Sequence, residues 1–448
     1  MNIKRAKQEI KNTIRAYHLK DENGAYRIPV IRQRPVLLMG PPGVGKTQIM
    51  EQIAGECHLP LVSYTITHHT RQSAIGLPFI KEKEYQGRTH SVTEYTMSEI
   101  IASVYDKMEE TGQKEGILFI DEINCVSETL APAMLQFLQC KSFGNQRIPE
   151  GWIIVAAGNP PEYNKSVREF DVVTLDRVKK IDVEADFQVW KEFAYEQRIH
   201  GAIISYLDIK KDYFYQVETT IDGKRFATAR GWQDLSEILT VYEELGMVVD
   251  QEVICQYIQN GRIAKDFANY LELYAKYRTD YQIDEILKGR WKHSAIEKLT
   301  FAPFDERLSV IGLLISRLGD RFSQVKAVDE QVTKTYEELK AKKALEGELD
   351  EKIRSAFEEQ TKVREDMIEE AAENLECAFD FCEEAFGESQ EMVVFITELT
   401  VNLYSAWFIG ENGCDRYYKY NKGLLFHDRQ QGILQEMDEV RSLMEGRQ

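Results

Sequence analysis

Four apolar residues, Val36-Leu37-Leu38-Met39, run directly into Gly40-Pro41-Pro42-Gly43-Val44-Gly45-Lys46-Thr47. The segment Gln48-Ile49-Met50-Glu51-Gln52-Ile53-Ala54 then continues with helical spacing. A buried strand, a glycine-rich loop and a helix start are what a triphosphate requires. The glycines let the backbone fold around phosphates with its N–H groups pointing inward. Lys46 has the reach for the β- and γ-phosphates, and the Thr47 hydroxyl suits a Mg²⁺ ligand. This P-loop commits the first part of the chain to an α/β fold.

At 448 residues the chain exceeds one ordinary core, so two or three domains are expected. No apolar run approaches the length needed to cross a bilayer, and Met1-Asn2-Ile3-Lys4-Arg5 lacks an apolar signal core. A cytoplasmic protein without membrane insertion is the expectation. Seven cysteines, odd in number and scattered, fit a reducing compartment. The net charge of −18 argues against a nucleic-acid-binding face, which needs clustered Lys and Arg. Residues 341–400 hold 6 basic and 18 acidic side chains, about two-thirds of that excess. Solvated helix faces account for such a run, and an acidic docking surface is the sharper alternative.

Ile3, Ala6, Ile10 and Ile14 predict a leading amphipathic helix. Five apolar runs, 36–39, 61–66, 117–120, 152–157 and 178–183, read as buried parallel strands separated by helices. Thr96-Met97-Ser98-Glu99 reads as a capping box, with Gly112 closing the helix it starts. Two hairpins are expected, over 76–93 and over 142–151 around Gly144-Asn145. Beyond residue 187 the pattern turns helical, at 189–196, 232–245, 251–259 and 263–274, with a short hairpin around Asp222-Gly223. Val325, Val328, Val332, Thr335 and Leu339 follow a heptad. Leu349, Ile353, Phe357, Met367, Ala371 and Leu375 resume it after Gly347, which predicts an antiparallel helical hairpin standing in solvent. Helices over 392–408 and 430–444 would pack at its base.

Ile117-Leu118-Phe119-Ile120-Asp121-Glu122 ends a buried strand in two carboxylates. Asp121 suits Mg²⁺ held through its water shell, and Glu122 suits polarising the water that attacks the γ-phosphate. The strand 152–157 leads to Gly158-Asn159-Pro160-Pro161, where an amide can bond both the γ-phosphate and that water. Asn-Pro is also an ordinary turn signal.

With these residues in that order, followed by a helical segment, residues 30 to about 290 resemble an AAA+ ATPase. Gly158-Asn159-Pro160-Pro161-Glu162-Tyr163, followed by Leu175-Asp176-Arg177-Val178, is similar to the MoxR branch, which carries hairpins where 76–93 and 142–151 lie. The resemblance implies a five-stranded parallel sheet in an α/β domain over 1–185. An α-helical lid over 186–300 would follow; the all-helical region with the hairpin over 301–448 is read from its heptad seams and matches nothing in the family core. By position it implies Walker A roles for Lys46 and Thr47, Walker B roles for Asp121 and Glu122, and sensor 1 for Asn159. It makes Arg177 the arginine finger and Arg230, in Thr228-Ala229-Arg230-Gly231-Trp232, sensor 2. The segment 165–174 is more charged than the family pattern, which leaves Arg168 as a rival finger.

The implied activity is hydrolysis of ATP with Mg²⁺ by a homo-oligomeric ring, usually hexameric, that remodels client proteins. The implied partner carries a von Willebrand factor A domain. The rival reading is a nucleic-acid-dependent AAA+ motor of helicase or restriction-translocase type, which the acidic charge disfavours. A non-hydrolysing scaffold is a third reading, disfavoured by the intact Lys46, Asp121, Glu122 and Asn159.

Overall fold

The apolar run Val36–Met39 is buried at every position, as is Trp152–Gly158, because helices cover both faces of the sheet to which they belong. The computed structural model describes residues 1–68, 70–143, 146–163, 167, 170–220, 223–346 and 351–422. Two units are resolved: Met1–Val189 with Thr228–Arg230, and Trp190–Ala227 with the described residues from Gly231 onward.

The first unit opens with α1 (Ile3–His18), β1 (Val36–Met39), α2 (Lys46–Cys57) and β2 (Leu61–Thr65). The segment α3 (Arg71–Ile75), β3 (Pro78–Tyr85), β4 (Arg88–Tyr95) and α4 (Glu99–Thr111) follows. Next come β5 (Gly116–Asp121), α5 (Ala131–Cys140), β6 (Ser142–Phe143), β7 (Gln146–Arg147), β8 (Trp152–Gly158), α6 (Val172–Leu175) and β9 (Lys179–Asp182). The five-stranded sheet has the order β2-β5-β8-β1-β9, every pairing parallel. Leu37, Leu118, Ile154 and Ala156 belong to a core on one face with α4 and α5; Leu38, Phe119 and Val155 belong to one on the other with α1 and α2. The chain leaves β1 for the β2 edge and returns to β9 on the other side of β1. In an open α/β sheet such a reversal marks the ligand crevice at the strands' carboxyl ends.

Both expected hairpins form, β3 with β4 over eight residues each and β6 with β7 over two each. Gly144 and Asn145 lie outside the described residues. The expected capping box at Thr96 does not form. Ser98 is the N-cap of α4, and its hydroxyl donates to the Ala74 carbonyl instead of serving its own helix. Gly112, at φ +68°, closes that helix as expected.

The second unit takes up most of α7 (Phe187–Glu196), then α8 (Gly201–Ile209), β10 (Gln216–Thr220), β11 (Gly223–Ala227) and all but the first two residues of α9 (Ala229–Glu244). It continues through α10 (Gln251–Tyr257), α11 (Gly261–Tyr281), α12 (Ile283–Ile286), α13 (His293–Thr300), α14 (Phe304–Glu346), α15 (Glu351–Phe386), α16 (Gln390–Val401) and α17 (Leu403–Asn412). The pairing of β10 with β11 matches the expected short hairpin. The expected single helix over 392–408 breaks at Asn402. The Asn402 Oδ1 accepts from the N–H groups of Tyr404 and Ser405, both at 3.0 Å, and so starts α17 anew. The segment 430–444 lies outside the described residues.

Three contacts fix α14 and α15 as antiparallel: Asp329 with Arg364, Thr335 with Gln360, and Tyr336 with Phe357. The residue numbers fall on one helix as they rise on the other. The expectation of a solvated hairpin along its whole length needs correcting. Its base is embedded in a core shared with α11, α13, α16 and α17, where Val310, Leu314, Leu318, Phe322, Ala378 and Phe379 are all fully buried. Apolar residues there sit on every face of the helix, so the pair is a core element. Only beyond Val332 does a narrow seam remain, with Tyr336 already 55% exposed. Gly347, the expected tip, lies outside the described residues.

Phe322 stacks on Phe408 with ring centroids 4.3 Å apart. Phe322→Ala is therefore expected to lower the free energy of unfolding by about 3–5 kcal/mol, and Tyr336→Ala by under about 1 kcal/mol. Urea denaturation of the two variants separates base from arm, and equal losses would contradict this division. Among the described residues, no single helix is long and apolar enough to cross a membrane.

Candidate active site

The strands β1, β8 and β5 lie side by side, so their carboxyl ends deliver three segments to one place. These are the loop Gly40–Thr47, the pair Asp121-Glu122 and Asn159. In the loop, Gly43 and Gly45 have φ of +77° and +86°, a left-handed backbone that favours glycine. Gly45 is the N-cap of α2, so the loop closes onto a helix N-terminus where free N–H groups favour an anion.

Lys46 is 7% exposed, and its ammonium donates to the carbonyls of Gly40 and Pro41 and to Asn159 Oδ1, each at 2.8 Å. All three acceptors are neutral. Burial pushes its pKa down to about 8; Asp121 and Glu122 act against that fall and Arg230 with it. A polyphosphate would supply the counter-charge that these neutral oxygens lack. ATP binding is therefore expected to take up a proton near pH 8 and to weaken as pH rises past it. Calorimetry in two buffers of different ionisation enthalpy measures that uptake, and equal heats in both would show that Lys46 stays charged without nucleotide.

The Thr47 hydroxyl donates to Asp121 Oδ2 at 2.7 Å. This places two hard oxygen donors together beside the loop, a set that fits Mg²⁺ shared with phosphate oxygens. Glu122 sits in the left-handed region at φ +56°, unusual for a side chain of its size. Its N–H donates to Asp121 Oδ1 at 2.9 Å, and its Oε2 accepts from the Thr67 hydroxyl at 3.0 Å. The backbone is thus tied to Asp121 and one carboxylate oxygen to Thr67. Pro41, Pro42 and Val44 complete the loop. At Gly43 a Cβ would lie 3.4 Å from that of Thr228 and 3.5 Å from that of Arg230, so Arg230 flanks the loop.

Two supporting residues escape a motif reading. Asn124 is 2% exposed; its Nδ2 donates to the Asn159 carbonyl at 2.8 Å, and its Oδ1 accepts from the Asn159 N–H at 3.2 Å. It clamps the backbone of the residue that reaches Lys46. Thr67 lies two residues past Thr65, which is in register with Asp121. That parallel register is the one signal that could have found it. Arg177 is not brought to the loop: its exposed guanidinium donates to Gln139 Oε1 on α5. Arg168 lies outside the described residues.

Residues 36–174 match the model of AAA, the ATPase family associated with various cellular activities. No curated protein matches the chain. The α/β unit therefore contains an AAA ATPase domain, with a helical C-terminal region after it.

Proposed function

We propose that the chain is a MoxR-type AAA+ ATPase that works as a ring of identical subunits, hexameric as in that branch. It remodels client proteins in the cytoplasm together with a von Willebrand factor A domain partner. The observation that carries the catalytic part is the joining of three strand ends through Lys46, Asn159, Asp121 and Thr47 by bonds of 2.7–2.8 Å. Lys46 exchanges its protein acceptors for the β- and γ-phosphate oxygens of ATP. Thr47 and Asp121 would hold Mg²⁺, which would supply positive charge to offset that of the phosphates. Glu122 takes a proton from the attacking water through Oε1, which makes no hydrogen bond among the described residues. Asn159 orients that water, with its backbone fixed by Asn124. Arg230 acts on the nucleotide of its own subunit, whereas Arg177 serves a neighbour.

Support for assembly comes from the surface around Arg177. Val172 and Val173 on α6 are 81% and 56% exposed, an apolar pair that a neighbouring subunit would cover. The segment 186–300 is read as the lid of this machine, and the acidic arm as a docking element for client or partner. The test combines light scattering with ATP turnover. Specific activity should rise with protein concentration as rings form, and DNA or RNA should leave it unchanged. A monomer with full activity would overturn the ring, and stimulation by nucleic acid would favour a motor instead.

A further inference from the structure

Arg177 comes just after α6, on a backbone held from both sides. Asp171 Oδ1 accepts from the Thr174 N–H at 2.8 Å, the Arg177 N–H donates to the Thr174 carbonyl at 3.1 Å, and Val178 is buried. The side chain that leaves this anchored backbone is exposed, and a free arginine spreads over many rotamers. One hydrogen bond restrains it, from Nη1 to Gln139 Oε1 on α5.

Gln139 stands on equally firm ground. Its neighbours Phe137 and Leu138 are fully buried, and Phe137 stacks on Phe143 with ring centroids 4.2 Å apart. Lys141, the C-cap of α5, donates through its ammonium to the Val30 carbonyl at 3.0 Å. The bond therefore ties two fixed backbones together through two otherwise flexible side chains.

The chemistry of the holder matters as much as its place. A guanidinium has five N–H donors and no acceptor, so the Gln139 amide must present its oxygen. That oxygen engages one N–H and leaves the charge of the cation intact. A carboxylate there would take two N–H groups at once and cancel the charge. The chain holds 74 acidic residues, yet α5 carries no charged side chain from Ala131 to Cys140. Arg177 forms no ion pair among the described residues. Asp171 acts on it only across space: its carboxyl is held below the usual range first by hydrogen bonds from Thr174, and only then by the Arg177 charge.

We propose that Gln139 is a positioning residue for Arg177, holding the guanidinium in one orientation while leaving its charge free for a neighbour's γ-phosphate. This rests on the reading of Arg177 as a residue that acts between subunits. A cation already aimed meets the charge of the transition state without first losing its rotamer freedom, which raises kcat and leaves ATP binding alone.

The test measures kcat and KM for ATP on Gln139→Met, Gln139→Glu and Arg177→Ala, at a protein concentration where light scattering shows the oligomer. Gln139→Met keeps the side-chain length and removes the acceptor, so kcat should fall about tenfold with KM unchanged. Gln139→Glu is nearly isosteric with the native residue but pairs with the guanidinium and turns it from its target. Its kcat should fall further, about a hundredfold. Because the pair is exposed, raising the ionic strength should recover part of that loss relative to the unsubstituted protein, and none of the loss in Gln139→Met. A side chain needed only for packing would tolerate Glu better than Met, and neither loss would respond to salt. Undiminished kcat in Gln139→Met, or salt-independent losses in both variants, overturns the proposal and leaves Arg177 in its role. Full turnover in Arg177→Ala removes that role and the proposal with it.

Discussion

Glu122→Gln is expected to bind ATP as the unsubstituted protein does and to hydrolyse it about 10²–10⁴-fold more slowly. The amide has the shape of the carboxylate, so the Thr67 hydroxyl keeps an acceptor and the backbone at φ +56° is undisturbed. What disappears is a group able to take a proton from water. The binding parts, Lys46 with its three acceptors and Thr47 beside Asp121, are untouched. Single-turnover hydrolysis and nucleotide titration on one preparation separate the two effects. Lys46→Ala should show the opposite split and lose binding. Wild-type turnover in Glu122→Gln would remove Glu122 from the role of base.

Arg177→Ala is expected to cost about 10³–10⁵ in turnover, the usual effect of a cation supplied to a transferring phosphoryl group. Arg177 bonds to Gln139 and not to the loop of its own chain, and in the proposed ring it serves a neighbour's nucleotide. Mixing Arg177→Ala with Glu122→Gln then has a distinctive outcome. An Arg177→Ala subunit keeps its own Glu122 and borrows Arg177 from a Glu122→Gln neighbour, so activity returns once subunits exchange. A residue acting within its own chain leaves every site in the mixture incomplete. Persistent inactivity despite demonstrated exchange would refute action between subunits. An active Arg177→Ala beside an inactive Arg168→Ala would hand the role to Arg168.

The parts of the fold that were legible in the sequence are those set by local chemistry. Glycines at positive φ, apolar runs ending in Asp121 or Asn159, and a heptad spacing each carry their meaning within a few residues. Thr67 and Asn124 were not legible, because their roles arise from partners 55 and 35 residues away. The false capping box has the same origin, since the Ser98 hydroxyl is taken by a carbonyl 24 residues upstream. Helix α8 was missed for another reason. Ala202 to Leu207 is buried at every position, so it shows no amphipathic period. The base of the hairpin misled in that way too: its apolar residues wrap the helix, and the heptad emerges only where the core ends.

The long helix α14 has 43 residues and stays in the core as far as Val332. At 1.5 Å per residue the embedded stretch is about 43 Å long and the distal one about 21 Å. A stiff rod clamped along most of its length is a cantilever. A sideways load near Glu346 is borne as bending where the clamp ends, because a close-packed interior is nearly incompressible. The start of α14, where Glu306 accepts from the Tyr281 hydroxyl at 2.7 Å, is shielded from it. A load on the arm would therefore be felt first at Val332.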